Sequence, residues 1–201
     1  MKKRGINSLV RKKNILGGSK IGQVWVETVI YTLIAFVLIG AVLGFVKPKI
    51  QEMQDKATIQ KSIEVMQGIE SQFSSLYQGG PGNQRTLGLQ VSKGVLEFDG
   101  VTDKVLFVME DSKYAASDYE LEAGSYFGNI NIKTEKVGKS YTVTLESDYS
   151  EKYNLQYNDA DEKKTLTKSS TPYNLLIANK GNAPIGDEDV SKTKINIQII
   201  N

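Results

Sequence analysis

"KIGQVWVETVIYTLIAFVLIGAVLGF", residues 20–45, is a nearly unbroken apolar run with one acidic residue, Glu27, close to its start. From Val24 to Val46 no other residue is charged. As a helix this segment is about 35 Å long, enough to cross a bilayer hydrocarbon core of about 30 Å. A carboxylate at mid-bilayer costs about 2.5–3.5 kcal/mol on insertion scales, so an acidic residue here calls for a role. Three readings of Glu27 follow. It sits at the interface end of a single membrane anchor, where a helix N-terminus tolerates a carboxylate. Or the segment is an ordinary secretory signal, which fits poorly because the run is too long and no Ala-x-Ala triplet follows it. Or the chain is cut between Gly22 and Gln23, and Glu27 becomes the fifth residue of the mature chain.

Upstream, residues 1–22 hold seven basic groups (Lys2, Lys3, Arg4, Arg11, Lys12, Lys13, Lys20) and no acidic one. Of 25 basic and 23 acidic residues in all, 18 basic and 23 acidic remain beyond residue 22, a net charge of −5. The basic balance belongs to the leader alone, so no nucleic-acid partner is expected. A basic leader and an acidic remainder place the leader in the cytoplasm and the C-terminal region outside.

Downstream, "IQEMQDKATIQKSIEVMQGIESQFSSLY", residues 50–77, takes on a helical period. Ile50, Met53, Ala57, Ile59, Ile63, Met66, Ile69, Phe73 and Leu76 recur mostly three or four apart and form one apolar stripe. "QGGPGN", residues 78–83, cannot continue the helix and reads as a hinge. The period then changes to two: Leu87, Leu89 and Val91 share a face, as do Val105, Phe107 and Met109. Tyr141, Val143 and Leu145 form a third such set, and Ile195, Ile197 and Ile199 a fourth. Turn-forming sets lie between them at Ser92-Lys93-Gly94, Asp99-Gly100, Val137-Gly138-Lys139 and Asn158–Asp161. The expected fold class is α+β, a long N-terminal α-helix followed by an all-β antiparallel, sandwich-like head domain. Its expected parts are a cleaved basic leader (1–22), an apolar then amphipathic helix (23–77), a Gly/Pro linker (78–86) and the head (87–201). The region from residue 84 on is expected to fold by itself.

A basic leader ending in glycine, followed by an apolar helix with glutamate at its fifth position, resembles the N-terminus of type IV pilins. The stretch "GQVWVE", residues 22–27, is similar to the class III signal peptide of archaeal type IV pilin-like proteins and archaellins. The match covers roughly residues 1–77 and is densest from Lys20 to Glu27; the β region is similar in architecture only. The resemblance implies cleavage after Gly22 by a membrane-bound aspartyl prepilin peptidase. It implies that Glu27 pairs with the terminal amine of Gln23 in a neighbouring subunit. It also implies a homo-oligomeric helical filament on the cell surface, fed from the cytoplasmic membrane by an assembly ATPase and a membrane platform. Elementary electrostatics points the same way: an amine and a carboxylate, each costly alone beside hydrocarbon, become tolerable as a pair and fix the stagger between helices. The alternative is a single-span, membrane-anchored β ectodomain, a minor pilin or surface binding protein, that shares the leader without forming the main fibre.

Other features of the helix leave choices open. Bacterial pilins often carry a proline near mid-helix; here the nearest is Pro48, past the apolar run. Either Pro48 kinks or unwinds the chain where membrane and outer helices meet, or Lys47 and Lys49 beside it are simply interfacial anchors. Gly40 and Gly44 form a Gly-x-x-x-Gly pair suited to close helix approach. Trp25 and Tyr31 fit interfacial aromatics and filament core equally well.

Catalytic chemistry finds little support. Without cysteine or histidine there are no disulfides, thiolate nucleophiles, cysteine–histidine zinc sites or histidine acid–base pairs. "GGPG", residues 79–82, lacks the Gly-Lys-Ser/Thr of a phosphate loop and follows a helix. Asp159/Asp161/Glu162 and Asp187/Glu188/Asp189 lack calcium-loop spacing and read as solvated turns. No Asn-x-Ser/Thr sequon occurs. No cofactor, metal or catalytic residue is expected. The leader ending at Gly22 sets the first test: surface material analysed by intact mass or N-terminal sequencing should begin at Gln23. A chain starting at Met1, or cut beyond residue 40, would overturn the resemblance.

Overall fold

The computed structural model describes residues 20–116, 129–185 and 188–200. An apolar run followed by an apolar stripe at helical period produces one helix, α1, Lys20–Gly79, with Pro48 inside it. Helical hydrogen bonding continues through Pro48, so the chain does not unwind there. Pro48 has no N–H to donate to the carbonyl of Gly44, which leaves one bond missing from the helical ladder. The chain divides into two units at this point, Met1–Lys47 and Pro48–Asn201.

In the first unit, every described side chain from Val24 to Lys47 is exposed; Phe45 keeps 81% of its surface and Trp25 72%. This is apolar surface on all sides of a helix, far beyond the few hundred Å² that soluble monomers usually leave uncovered.

In the second unit the same helix becomes one-sided. Ile59, Ile63, Met66, Ile69, Phe73 and Leu76, spaced three or four apart, are each 2% exposed or less. Ile50 and Met53, which continue the stripe in the sequence, stay in solvent at 48% and 71%. Burial of the helix begins with Asp55.

Among the described residues nine strands follow: β1 (Gln84–Leu89), β2 (Val95–Asp99), β3 (Lys104–Ser112), β4 (Ile130–Val137), β5 (Ser140–Asp148), β6 (Tyr153–Tyr157), β7 (Lys163–Thr167), β8 (Tyr173–Ile185) and β9 (Glu188–Ile200). They form a four-stranded sheet, β1-β8-β9-β6, and a five-stranded sheet, β4-β5-β3-β2-β7. All pairs are antiparallel except β6 with β9. A parallel pair needs a long crossover; here the chain passes through β7 in the other sheet and back through β8 before β9 begins. The α+β architecture read from the sequence is therefore present, with one strand pair of the opposite sense.

Alternation decides which side chains turn inward. Val105, Phe107 and Met109 of β3, Val143 and Leu145 of β5, and Ile195 and Ile197 of β9 are all buried. They join Leu96, Phe98, Leu155, Leu166, Leu175, Ile177 and the six helix residues in one contiguous apolar cluster. The helix is thus part of the core of the β unit, and the Gly/Pro segment is no loose hinge. Gly80 and Gly82 adopt left-handed backbone, φ 78° and 86°, which ends α1. The Asn179 side chain of β8 then donates to the carbonyl of Leu76 at 2.9 Å. Gly82 N–H donates to Asn179 O (2.8 Å), Asn179 N–H donates to Asn83 O (2.9 Å), and Asn83 Nδ2 donates to Gly80 O (3.1 Å). The first of these bonds satisfies a carbonyl that a helix C-terminus leaves open, and the others fasten the segment after it to β8 and to itself.

A core shared this way sets the limits of the folding unit. A chain beginning at Pro48 should unfold cooperatively in urea. One beginning at Gln84 lacks six core side chains and should show no fixed tertiary signal by near-ultraviolet circular dichroism. Phe73→Ala in the longer chain should lower stability by about 3–5 kcal/mol. A cooperative transition from the shorter chain would show the helix to be dispensable.

Candidate assembly segment

Between Val24 and Val46 the residues with strongly polar side chains are Glu27, Thr28, Tyr31 and Thr32, all within the first two and a half turns. The threonines bond back to their own helix, Thr28 Oγ1 to Val24 O (2.9 Å) and Thr32 Oγ1 to Thr28 O (2.8 Å). Such bonds are a usual way to carry a hydroxyl through an apolar environment. Tyr31 Oη donates to Glu27 Oε1 at 3.1 Å, one turn away. Glu27 Oε2 has no hydrogen-bond partner among the described residues. The segment therefore has one carboxylate oxygen engaged and one open.

The other residues singled out from the sequence lie along the same helix. Gly22 and Gln23 are within α1. Gly40 and Gly44, one turn apart, have nothing within 4 Å of the space a Cβ would fill, so either could admit another helix closely. Pro48 falls where the two units divide. Nothing in the single chain brings these residues together beyond their common helix.

In the Pro48–Asn201 unit, carboxylates with unusual surroundings are the natural candidates for chemistry. Each is engaged in holding the fold. Asp55, buried on α1, accepts from Lys93 Nζ at 2.5 Å through Oδ1 and from Lys113 N–H at 2.7 Å through Oδ2. It ties the helix to the β1–β2 connection and to the end of β3. Asp99 is pushed up by burial. The Lys163 ammonium at 2.7 Å and the Thr102 and Val101 donors outweigh this and leave its carboxyl below the ordinary range. Burial pushes the Tyr149 hydroxyl well above the usual phenol range. Its ring stands edge-on to Phe73 at 5.2 Å and beside Tyr153, which in turn meets Tyr77.

Asp103 has the opposite balance to Asp99. It sits in the β2–β3 turn with left-handed backbone, φ 55°. Its Oδ1 accepts Leu155 N–H of β6 at 2.8 Å, and Oδ2 lies 3.4 Å from Lys192 Nζ of β9. One side chain thus pins a turn of the five-stranded sheet to two strands of the other. Burial raises its carboxyl above the ordinary range, more than Leu155 and Lys192 lower it. The sequence alone singled out neither Asp103 nor Asn179, because their partners lie tens of residues away. The Glu27–Tyr31 pair has a local signal, its i,i+4 spacing.

Of the acidic clusters, Asp159 pairs with Lys180 at 2.8 Å and Asp161 accepts from Gln156 at 2.9 Å. Asp187 lies outside the described residues. Among the described residues no group of three or more acidic side chains is placed to hold a metal ion. An apolar groove of about 180 Å³ is lined by Ala57, Lys61, Val65, Val91 and Phe107 among others, and more polar clefts of about 600 and 440 Å³ open beside Asp55 and Lys93 and beside Asp148 and Lys152.

These features define an α+β protein with, among the described residues, one helix near the N-terminus that is long and apolar enough to cross a membrane. No family model, no curated protein and no solved structure matches the chain.

Asp103 gives a prediction with a definite pH sign. A raised carboxyl contributes stability that is fully present below its ordinary pKa and lost as pH rises through the folded one. Asp103→Asn keeps an acceptor for Leu155 and tolerates the left-handed backbone, so it should be at least as stable as the parent near pH 7. That advantage should shrink as the pH falls towards about 4, where the parent regains its proton. Asp103→Ala strands a buried N–H and should cost about 1–3 kcal/mol. Urea unfolding of the three chains at both pH values checks this.

Proposed function

We propose that the chain is a structural subunit of an archaeal type IV pilus-like surface filament, assembled through its N-terminal apolar helix. The observation that carries this reading is the helix surface from Val24 to Val46. It is apolar on every side, uncovered within the chain, and interrupted by one carboxylate with an open oxygen. A lone anchor has no use for that carboxylate, whereas packed helices do. In this reading a prepilin peptidase cuts after Gly22 and exposes the Gln23 amine. The processed subunit waits in the cytoplasmic membrane with its head outside, and an assembly ATPase and membrane platform then move it into the fibre. There Glu27 meets the Gln23 amine of another copy, and Gly40 and Gly44 allow close helix approach. The head forms the outer surface.

Substituting the carboxylate tests the reading. Glu27→Gln should leave processing, insertion and head folding intact while filaments largely disappear. Removing one partner of a buried pair costs about 3–5 kcal/mol, repeated at each subunit. Glu27→Asp should be intermediate. Electron microscopy of sheared material at matched levels of processed subunit gives the yield. Normal filaments from Glu27→Gln would remove this role from Glu27, and a chain found only in the membrane fraction would make it an anchored ectodomain.

A further inference from the structure

Resting on that reading, a second residue belongs to the same site. We propose that Tyr31 is the positioning residue for Glu27: its hydroxyl holds one carboxylate oxygen and leaves the other for the cationic amine of a second copy. The hydroxyl donates to Glu27 Oε1 at 3.1 Å, and Oε2 has no partner among the described residues. The remaining hydroxyls nearby, Thr28 and Thr32, are occupied by carbonyls of their own helix and do not compete for the carboxylate. The threonine and tyrosine oxygens keep lone pairs, but Glu27 is the one anionic side chain from Val24 to Val46, and the one suited to a cationic donor from outside.

The chemistry favours this division. A glutamate has three rotatable side-chain bonds, and confining it before the partner arrives removes part of the ordering cost of association. A hydroxyl-to-carboxylate bond is charge-assisted, which makes it a strong tether away from water. Tyrosine suits the task because its ring remains compatible with an apolar helix surface while only the oxygen is spent on the carboxylate. The partner this arrangement fits is a compact ammonium with several N–H donors, which a free chain terminus supplies.

Tyr31→Phe removes one oxygen and leaves the ring, so insertion and packing volume are preserved. Filament yield at matched processed subunit should fall about tenfold, the effect expected from one hydrogen bond to a charged group. A second readout does not depend on assembly. In the full chain in lipid vesicles, the carboxylate infrared band that vanishes in Glu27→Gln should shift in Tyr31→Phe. A shifted band with reduced filaments supports the proposal. An unmoved band, or normal filaments despite a shift, overturns it while leaving the role of Glu27 standing. If Glu27→Gln itself assembles normally, the assembly reading fails and the positioning role with it, whatever the band does.

Discussion

Apolar helix surface that the chain cannot cover for itself governs the rest of this molecule. Burial of such surface stabilises by about 25 cal/mol per Å², and the large apolar residues from Val24 to Val46 keep 38–81% of theirs outside. Lipid tails or other helices must supply the cover. The beginning of α1 is built for one environment and its end for another, within one helical segment that lacks a single hydrogen bond at Pro48. The change of environment is visible in the residues: apolar on every face up to Val46, polar on most faces from Gln51. Pro48 lies between the two patterns.

The later half of α1 is committed differently. Its inward face is consumed by the two sheets, and its end is held by Asn179, Asn83 and two glycines in left-handed backbone. Phe73 and Tyr77 meet Tyr149 and Tyr153 edge-on, and Lys152 lies over the rings of Tyr77 and Tyr153 at 5.1 and 5.3 Å. Asp55 does the same by charge at the start of the buried stretch. Helix and sheets therefore share their boundaries as well as their core, so the head cannot be cut free at the glycines without opening it.

Legibility in the sequence followed the range of the interactions. The helix, its end to within two residues (77 expected, Gly79 found), and β3, β5 and β9 were readable because an apolar stripe at a fixed period is local information. Strand β7, "KKTLT", turns only Leu166 inward and gives no strong alternation, and β6, "YNLQY", alternates but over only five residues. The parallel pairing of β6 with β9 rests on contacts about forty residues apart. Ile50 and Met53 carry the apolar period of the helix but find no sheet opposite, which periodicity cannot foresee. Within the assembly segment, Glu27 stood out because a charge in hydrocarbon is anomalous by itself. Tyr31 looked like any aromatic until its hydroxyl was placed against Oε1. Asp99 and Asp103, four residues apart, have carboxyls shifted in opposite directions: burial at Asp99 is outweighed by Lys163, Thr102 and Val101, and burial at Asp103 outweighs Leu155 and Lys192, a balance that depends on the fold.

The strand order also imposes a schedule on a chain that emerges from the ribosome N-terminus first. By Thr167 every strand of the five-stranded sheet has been made, but the other sheet has only its two edges, β1 and β6. These edges cannot pair with each other, since β8 and β9 belong between them. Until those strands arrive, part of the buried face of α1 has no cover, and the Leu76 carbonyl waits for a donor 103 residues further on. The sheet is then completed by insertion, as β8 and β9 enter as an antiparallel pair between two waiting edges. A nascent chain at this stage presents an apolar slot shaped for β-strands, an obvious place for a chaperone to hold and for a second nascent copy to intrude.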